Sequence, residues 1–454
     1  MGIPSREAGI KGILFPPMLW GSLDYMNIKE RLTMAKVPRL YYGWIIVGIS
    51  LTSMTLIYGI RHSFSIFFPF ILDEFGWSRG DTAIMFSLNV LTYGFLAPVA
   101  GSLGDRWKPK KVMLIGLTIL CVATASCSFA YKLWHFYLLF GILVPIGMAC
   151  SGWPLMTPAI ANWFTKRLGL ALSVGQTGGG LSFVYSMFAE FTISQLGWRY
   201  AYFALAGILI AFLLPLYCIF FHYRPEDRGL KPYGDSGLQA SRESTEWGID
   251  GKDAEPRDWT LLTAMRTRQF WLIVLSQFLF WGIGVYLVMA HQINFAVDAG
   301  YSSMFSASVF ALFGIFMVFG QLSASISDWI GREKTVTIAA LLTIGALLAL
   351  ISVRDTSRPC LLYLYATCFG YGTGLYTPTI FASMADIFQG RYFGEISGMI
   401  LTGMGVGGAI GPWLGGYTYD ISGSYLSAFL LCMACFALAC IALWVAAPRQ
   451  ADKG

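Results

Sequence analysis

The sequence predicts an all-α integral membrane protein in which twelve transmembrane helices form two six-helix bundles. Three observations predict it: a strongly apolar composition, twelve stretches long enough to cross a bilayer, and a residue pattern that recurs across a polar centre. Hydrophobic residues make up 56% of the chain and charged residues 12%, and mean hydropathy is +0.61, far from the balance of a soluble domain. A spanning helix needs about 20 apolar residues. Of the 31 Lys and Arg residues, 25 fall in the N-terminal arm, the even-to-odd loops and the tail, and five in the alternate loops. By the positive-inside rule both termini and the central loop are therefore expected in the cytoplasm, with the chain a multi-pass protein of the inner (plasma) membrane.

Residues 1–40 read as a cytoplasmic arm; Pro16, Pro17 and scattered charge replace the apolar core of a cleavable signal. The N-terminal bundle is expected over 41–221, with spans near 44–72, 82–104, 110–130, 134–163, 168–194 and 199–221. The first span is the informative one. Arg61 and His62 stand side by side in a run, 43–72, otherwise free of ionisable groups. A charge at hydrocarbon depth costs at least about 2.5 kcal/mol, so such a residue is expected to face a water-filled path or a bound anion. The fourth span ends in a basic corner at Lys166 and Arg167. The fifth contains Gly178, Gly179 and Gly180, which at membrane depth read as close helix packing rather than as a phosphate loop.

Residues 222–268 are polar, of mixed charge and suited to a flexible linker. The C-terminal bundle is expected over 269–447, with spans near 270–292, 303–327, 334–353, 359–386, 393–418 and 423–446, followed by a cytoplasmic tail at 448–454. Duplication is visible across the linker. Pro154 precedes Phe164 by ten residues and Arg167 follows by three; Pro378, Phe388 and Arg391 repeat the spacing. Gly179 lies twelve residues after Arg167, and Gly403 twelve after Arg391. Such repeats predict two similar bundles rocking about a midplane site.

The excess charge of +6 is explained by topology and anionic lipid, so no nucleic-acid partner is expected. The nine cysteines, Cys432 and Cys435 included, read as small packing residues. Four histidines without a metal-binding or nucleophile motif argue against an enzyme and against any cofactor or metal.

The loop Gly101-Ser102-Leu103-Gly104-Asp105-Arg106-Trp107-Lys108-Pro109-Lys110-Lys111 and its counterpart Asp328-Trp329-Ile330-Gly331-Arg332-Glu333-Lys334 resemble the cytoplasmic G-x-x-x-D-R-x-G-R-K signature of the major facilitator superfamily. The resemblance implies that family's twelve-helix fold. A carboxylate at one helix end can pair with a base and with a neighbouring helix N-terminus, so Asp105, Arg106, Asp328 and Arg332 are expected to form a latch that breaks as the halves rotate. Lys108 and Ala324 stand where the signature has glycine.

Within the superfamily the chain is similar to the prokaryotic monocarboxylate transporter and oxalate/formate porter branch. The resemblance runs through Tyr42-Gly43-Trp44, Ser63-Phe64-Ser65-Ile66-Phe67-Phe68, Phe75-Gly76-Trp77-Ser78-Arg79, Trp163-Phe164-Thr165-Lys166-Arg167, Gly197-Trp198-Arg199 and Arg224-Pro225-Glu226-Asp227. It implies a secondary active transporter moving a small organic anion, a monocarboxylate, with protons. His62 falls at the family's proton- and substrate-binding lysine and Tyr58 at its tyrosine one turn earlier.

Arginine grips a carboxylate with two parallel hydrogen bonds, whereas histidine gains or loses a proton in the working pH range. Consecutive helical residues diverge by about 100°, so both do not aim into one cavity, and Arg61 is the better substrate ligand. His62 either carries the coupled proton or hydrogen-bonds to a neighbouring helix. The family's arginine in the eighth span is replaced by Gly320, its acid by Phe316, and 396–418 holds no base. Gln321 is then a neutral partner, and a dicarboxylate clamp is not expected. Tyr93, Tyr376 and Thr377 join the expected substrate site. Asn89, Gln176, Thr177, Gln292 and Tyr371 are weaker lining candidates, and Glu190, His291 and Asp386 lie near helix ends. Two other readings stay open: an exporter of lipophilic compounds on the same fold, and a transporter-like nutrient sensor. The oligomeric state is open, and a monomer is compatible with the sequence.

Overall fold

A computed structural model describes residues 41–234, 259–388 and 393–446. The expected arm, most of the linker and the tail lie outside the described residues. Nine described helices are long and apolar enough to cross a membrane: α1 Gly43–Phe75, α2 Arg79–Gly104, α3 Pro109–Phe129, α4 Leu133–Trp163, α6 Trp198–Phe220, α7 Arg268–Asp298, α8 Ser303–Ser323, α9 Arg332–Ile351 and α12 Leu426–Ala446. Three more complete the twelve. α5 is broken into Leu168–Gln176, Gly178–Leu181 and Tyr185–Leu196. α10, Cys360–Phe388, and α11, Phe393–Ser422, are continuous but diluted with glycine, tyrosine and threonine.

Local sequence explains the irregularities. The regular helix of α1 is interrupted at Ser63, between helical stretches Gly43–His62 and Phe64–Phe75, and Pro69 removes one backbone donor just beyond. The interruption falls directly after Arg61 and His62. α4 widens to a π-helix over Tyr137–Leu143, a distortion that often marks functional positions.

Small residues let backbones approach where the two halves meet. A Cβ built on Gly94 of α2 would lie 3.4 Å from the Gly405 Cα of α11, and one on Gly180 of α5 would lie 3.2 Å from the Gly314 carbonyl oxygen of α8. At the end of the bundle away from the linker, polar groups also hold the halves. Arg79 pairs with Asp298 at 2.7 Å and donates to the Tyr425 hydroxyl at 2.6 Å, while its guanidinium lies 3.9 Å above the Tyr419 ring. The Asp420 carboxylate accepts from the backbone N–H groups of Arg79 and Gly80 at 2.9 and 2.7 Å, capping α2 from the opposite half. Nearer the centre, the Ser65 hydroxyl donates to the Met289 carbonyl of α7.

The described ends of the linker dock on matching corners. Tyr233 donates its N–H to the Trp163 carbonyl at 2.9 Å and accepts from Lys166 N–H at 3.0 Å, with its ring 5.8 Å from that of Phe164. Trp259 packs edge-on against Phe388 at 5.5 Å. Phe164 and Phe388 are the repeat-related phenylalanines of the sequence.

Candidate functional site

Arg61 lies near the midpoint of α1 with 1% of its surface exposed. Its Nε donates to Asn89 Oδ1 of α2 at 2.7 Å. Asn89, itself fully buried, donates through Nδ2 to the Phe140 carbonyl at 2.7 Å, within the π-helical stretch of α4. The guanidinium carbon sits 4.4 Å from the Tyr93 ring and 5.4 Å from the Tyr58 ring, and the two phenols share a hydrogen bond of 2.7 Å. From the other half, Tyr286 of α7 comes close enough to interact electrostatically with the guanidinium. Among the described residues Arg61 pairs with no acid, and its Nη2 is buried without a hydrogen-bond partner. The result is a positive charge held in place by a neutral amide and tyrosine rings, an arrangement suited to an anionic ligand.

His62 turns the other way, as the helical angle requires. Its Nδ1 lies 2.7 Å from Ser182 Oγ of α5, and its ring stacks on Phe183 with centroids 4.0 Å apart. Ser182 gives its one hydroxyl proton to the Gly179 carbonyl at 2.6 Å. With the hydroxyl proton on that carbonyl, the oxygen accepts from Nδ1–H, and the neutral ring in this tautomer leaves Nε2 to take up a proton. Phe183 in turn meets Phe310 and Phe313 of α8, so His62 is coupled by packing to the second half.

The expected residues divide into two sets. Arg61, Tyr58 and Tyr93 come together, with His62 one position on. Tyr376 is fully buried in the C-terminal half, its hydroxyl 2.8 Å from Ser276 Oγ and its ring stacked 3.7 Å from Phe280. Thr377 accepts from Trp281 Nε1 at 3.1 Å, and Trp281 lies edge-on to Tyr286 at 5.9 Å, so it backs the site at one remove. Gln321 is half-buried on α8, and its side-chain oxygen has no hydrogen-bond partner among the described residues. Sequence reasoning ranked Asn89 only as a lining residue and missed Tyr286, Ser182 and Phe183.

Where the sequence leads one to expect a latch in the C-terminal half, Arg332 bonds to Asp328, to Ser327 Oγ at 2.6 Å and to Asp386 of α10 at 2.9 Å. Asp386, read from the sequence only as a helix-end residue, thus joins Asp328 and Arg332. In the N-terminal half Arg106 is exposed, and the side chain of Asp105 lies outside the described residues.

The family model described as Major Facilitator Superfamily matches residues 44–358 and 325–454. Monocarboxylate transporter 11 of Mus musculus is 25% identical over 423 residues, covering 90% of this chain and 88% of that protein. Monocarboxylate transporter 13 of Rattus norvegicus is 24% identical over 401 residues, covering 86% and 85%. Among solved structures, a bacterial homologue of the human lysosomal transporter Spinster, in an inward-facing and unoccupied conformation, superposes with a TM-score of 0.63 at 15% identity. That superposition covers 91% of this chain and 98% of that one.

Proposed function

The chain belongs to the major facilitator superfamily, and on that premise we propose that this membrane transport protein moves a small organic monoanion by alternating access together with a proton. One observation carries the reading: Arg61 is buried at the centre of the bundle and, among the described residues, is held only by neutral groups, with Nη2 lacking a partner. A buried arginine of purely structural role is ordinarily matched by a carboxylate; this one meets no carboxylate among the described residues, and a monocarboxylate supplies the missing charge and hydrogen bonds. The similarity to proteins named monocarboxylate transporters supports the same substrate class.

His62 takes the proton at Nε2. Two cations on consecutive residues repel each other, and an anion on Arg61 relieves that repulsion, so substrate and proton bind cooperatively. Closure at the Arg79 end together with the docked linker corners at the other end fits two six-helix halves rocking about this site. By the distribution of basic residues, both termini face the cytoplasm of a plasma-membrane protein.

The test is binding of pyruvate, lactate and phenylpyruvate to the purified full-length protein, with tetraphenylphosphonium as a lipophilic comparison. Arg61→Gln is expected to abolish carboxylate binding, and Arg61→Lys to retain part of it, since the ammonium keeps the charge but loses the planar fork. Unimpaired carboxylate binding in Arg61→Gln removes the anion reading; binding of the lipophilic cation alone favours an exporter.

A further inference from the structure

Resting on that reading, we infer that Asn89 is the positioning residue that aims Arg61 at the substrate without cancelling its charge. The amide has one orientation that serves both neighbours. The Phe140 carbonyl can only accept, so Nδ2 must face it, 2.7 Å away; Oδ1 is then left to face Arg61 Nε, also 2.7 Å away. The carbonyl belongs to the π-helical stretch Tyr137–Leu143, so the widened turn of α4 orients Asn89, and Asn89 orients the guanidinium.

Two consequences follow for the substrate. Nε is occupied, and the ring faces of Tyr58 and Tyr93 lie against the guanidinium, so the carboxylate meets the Nη end rather than the Nε edge. An aspartate at position 89 would have nearly the same shape, but it would neutralise Arg61 internally and present a second acceptor to the Phe140 carbonyl. A neutral amide is the side chain that holds an arginine rigidly while leaving its charge for a ligand.

The experiment measures the affinity of the full-length protein for whichever of pyruvate, lactate and phenylpyruvate binds the unmodified chain. Asn89→Asp is expected to weaken binding about 100-fold, the scale of a charged hydrogen bond lost to an internal competitor. Asn89→Ser, which removes the amide but leaves room for water, is expected to weaken it about tenfold.

The decisive readout is a double-mutant cycle. A lysine carries no group equivalent to Nε, so in the Arg61→Lys background Asn89→Ser is expected to cost less than about twofold. Additive losses in the cycle, or an Asn89→Asp protein that binds as tightly as the unmodified chain, overturn the positioning role while leaving the transport reading intact. Failure of the unmodified chain to bind any of the three acids overturns the transport reading, and this inference with it.

Discussion

Arg61 and His62 are neighbours in sequence with different surroundings, and the difference separates their roles. Arg61 sits among tyrosines and an amide; His62 sits against a serine and a phenylalanine that touches the second half. In proteoliposomes His62→Gln is therefore expected to keep exchange of internal for external substrate while losing acceleration of net uptake by an inward proton gradient. Normal proton-driven uptake in that variant would return His62 to a structural role. Arg61, His62 and Tyr58 were legible because a charge in an apolar run is conspicuous and a family pattern places its neighbours. Tyr286 and Ser182 were not, because each reaches the site from a distant helix and neither periodicity nor depth records which face meets which. Tyr376 had the right depth as well, but Ser276 and Phe280 claim it.

At the scale of elements, α2 is the helix that two elements of the opposite half grip together. Its N-terminus is capped by Asp420 and its first residue is bound to Asp298, so α7 and α11 together hold it shut. Arg79 and Asp298 are partly exposed, which limits the pair to about 1 kcal/mol, a roughly fivefold bias between conformations. Arg79→Gln is accordingly expected to enlarge the population with this end open. Spin labels at Asp73 and Ser422, on opposite halves, should report a longer separation in a larger fraction of molecules; an unchanged distance distribution would deny the ion pair its closing role. The sequence marked Arg79 only as part of a family segment, since the acids that hold it are more than 200 residues away.

For the molecule as a whole, twelve spans place the linker and the α11–α12 turn on opposite sides of the membrane. In a cysteine-free background, cysteines at Lys231 and Ser422, both exposed, should label from opposite faces, the first from the cytoplasm. Labelling of both from one face would contradict the orientation. The architecture was more legible than the site, because hydrophobic length and basic asymmetry are local properties summed along the chain. What they miss is where the helix of an apolar run is interrupted, as in α1 at Ser63 and twice in α5.

The paired docking of Tyr233 on Phe164 and of Trp259 on Phe388 changes what the connector between the halves is mechanically. Its points of attachment are the α4–α5 and α10–α11 corners, not the ends of α6 and α7. About 25 residues lie between them, a contour of roughly 85 Å at full extension. Both attachments fall on the repeat-related phenylalanines, so any pull along the connector reaches the two halves at corresponding corners rather than at unrelated helix ends.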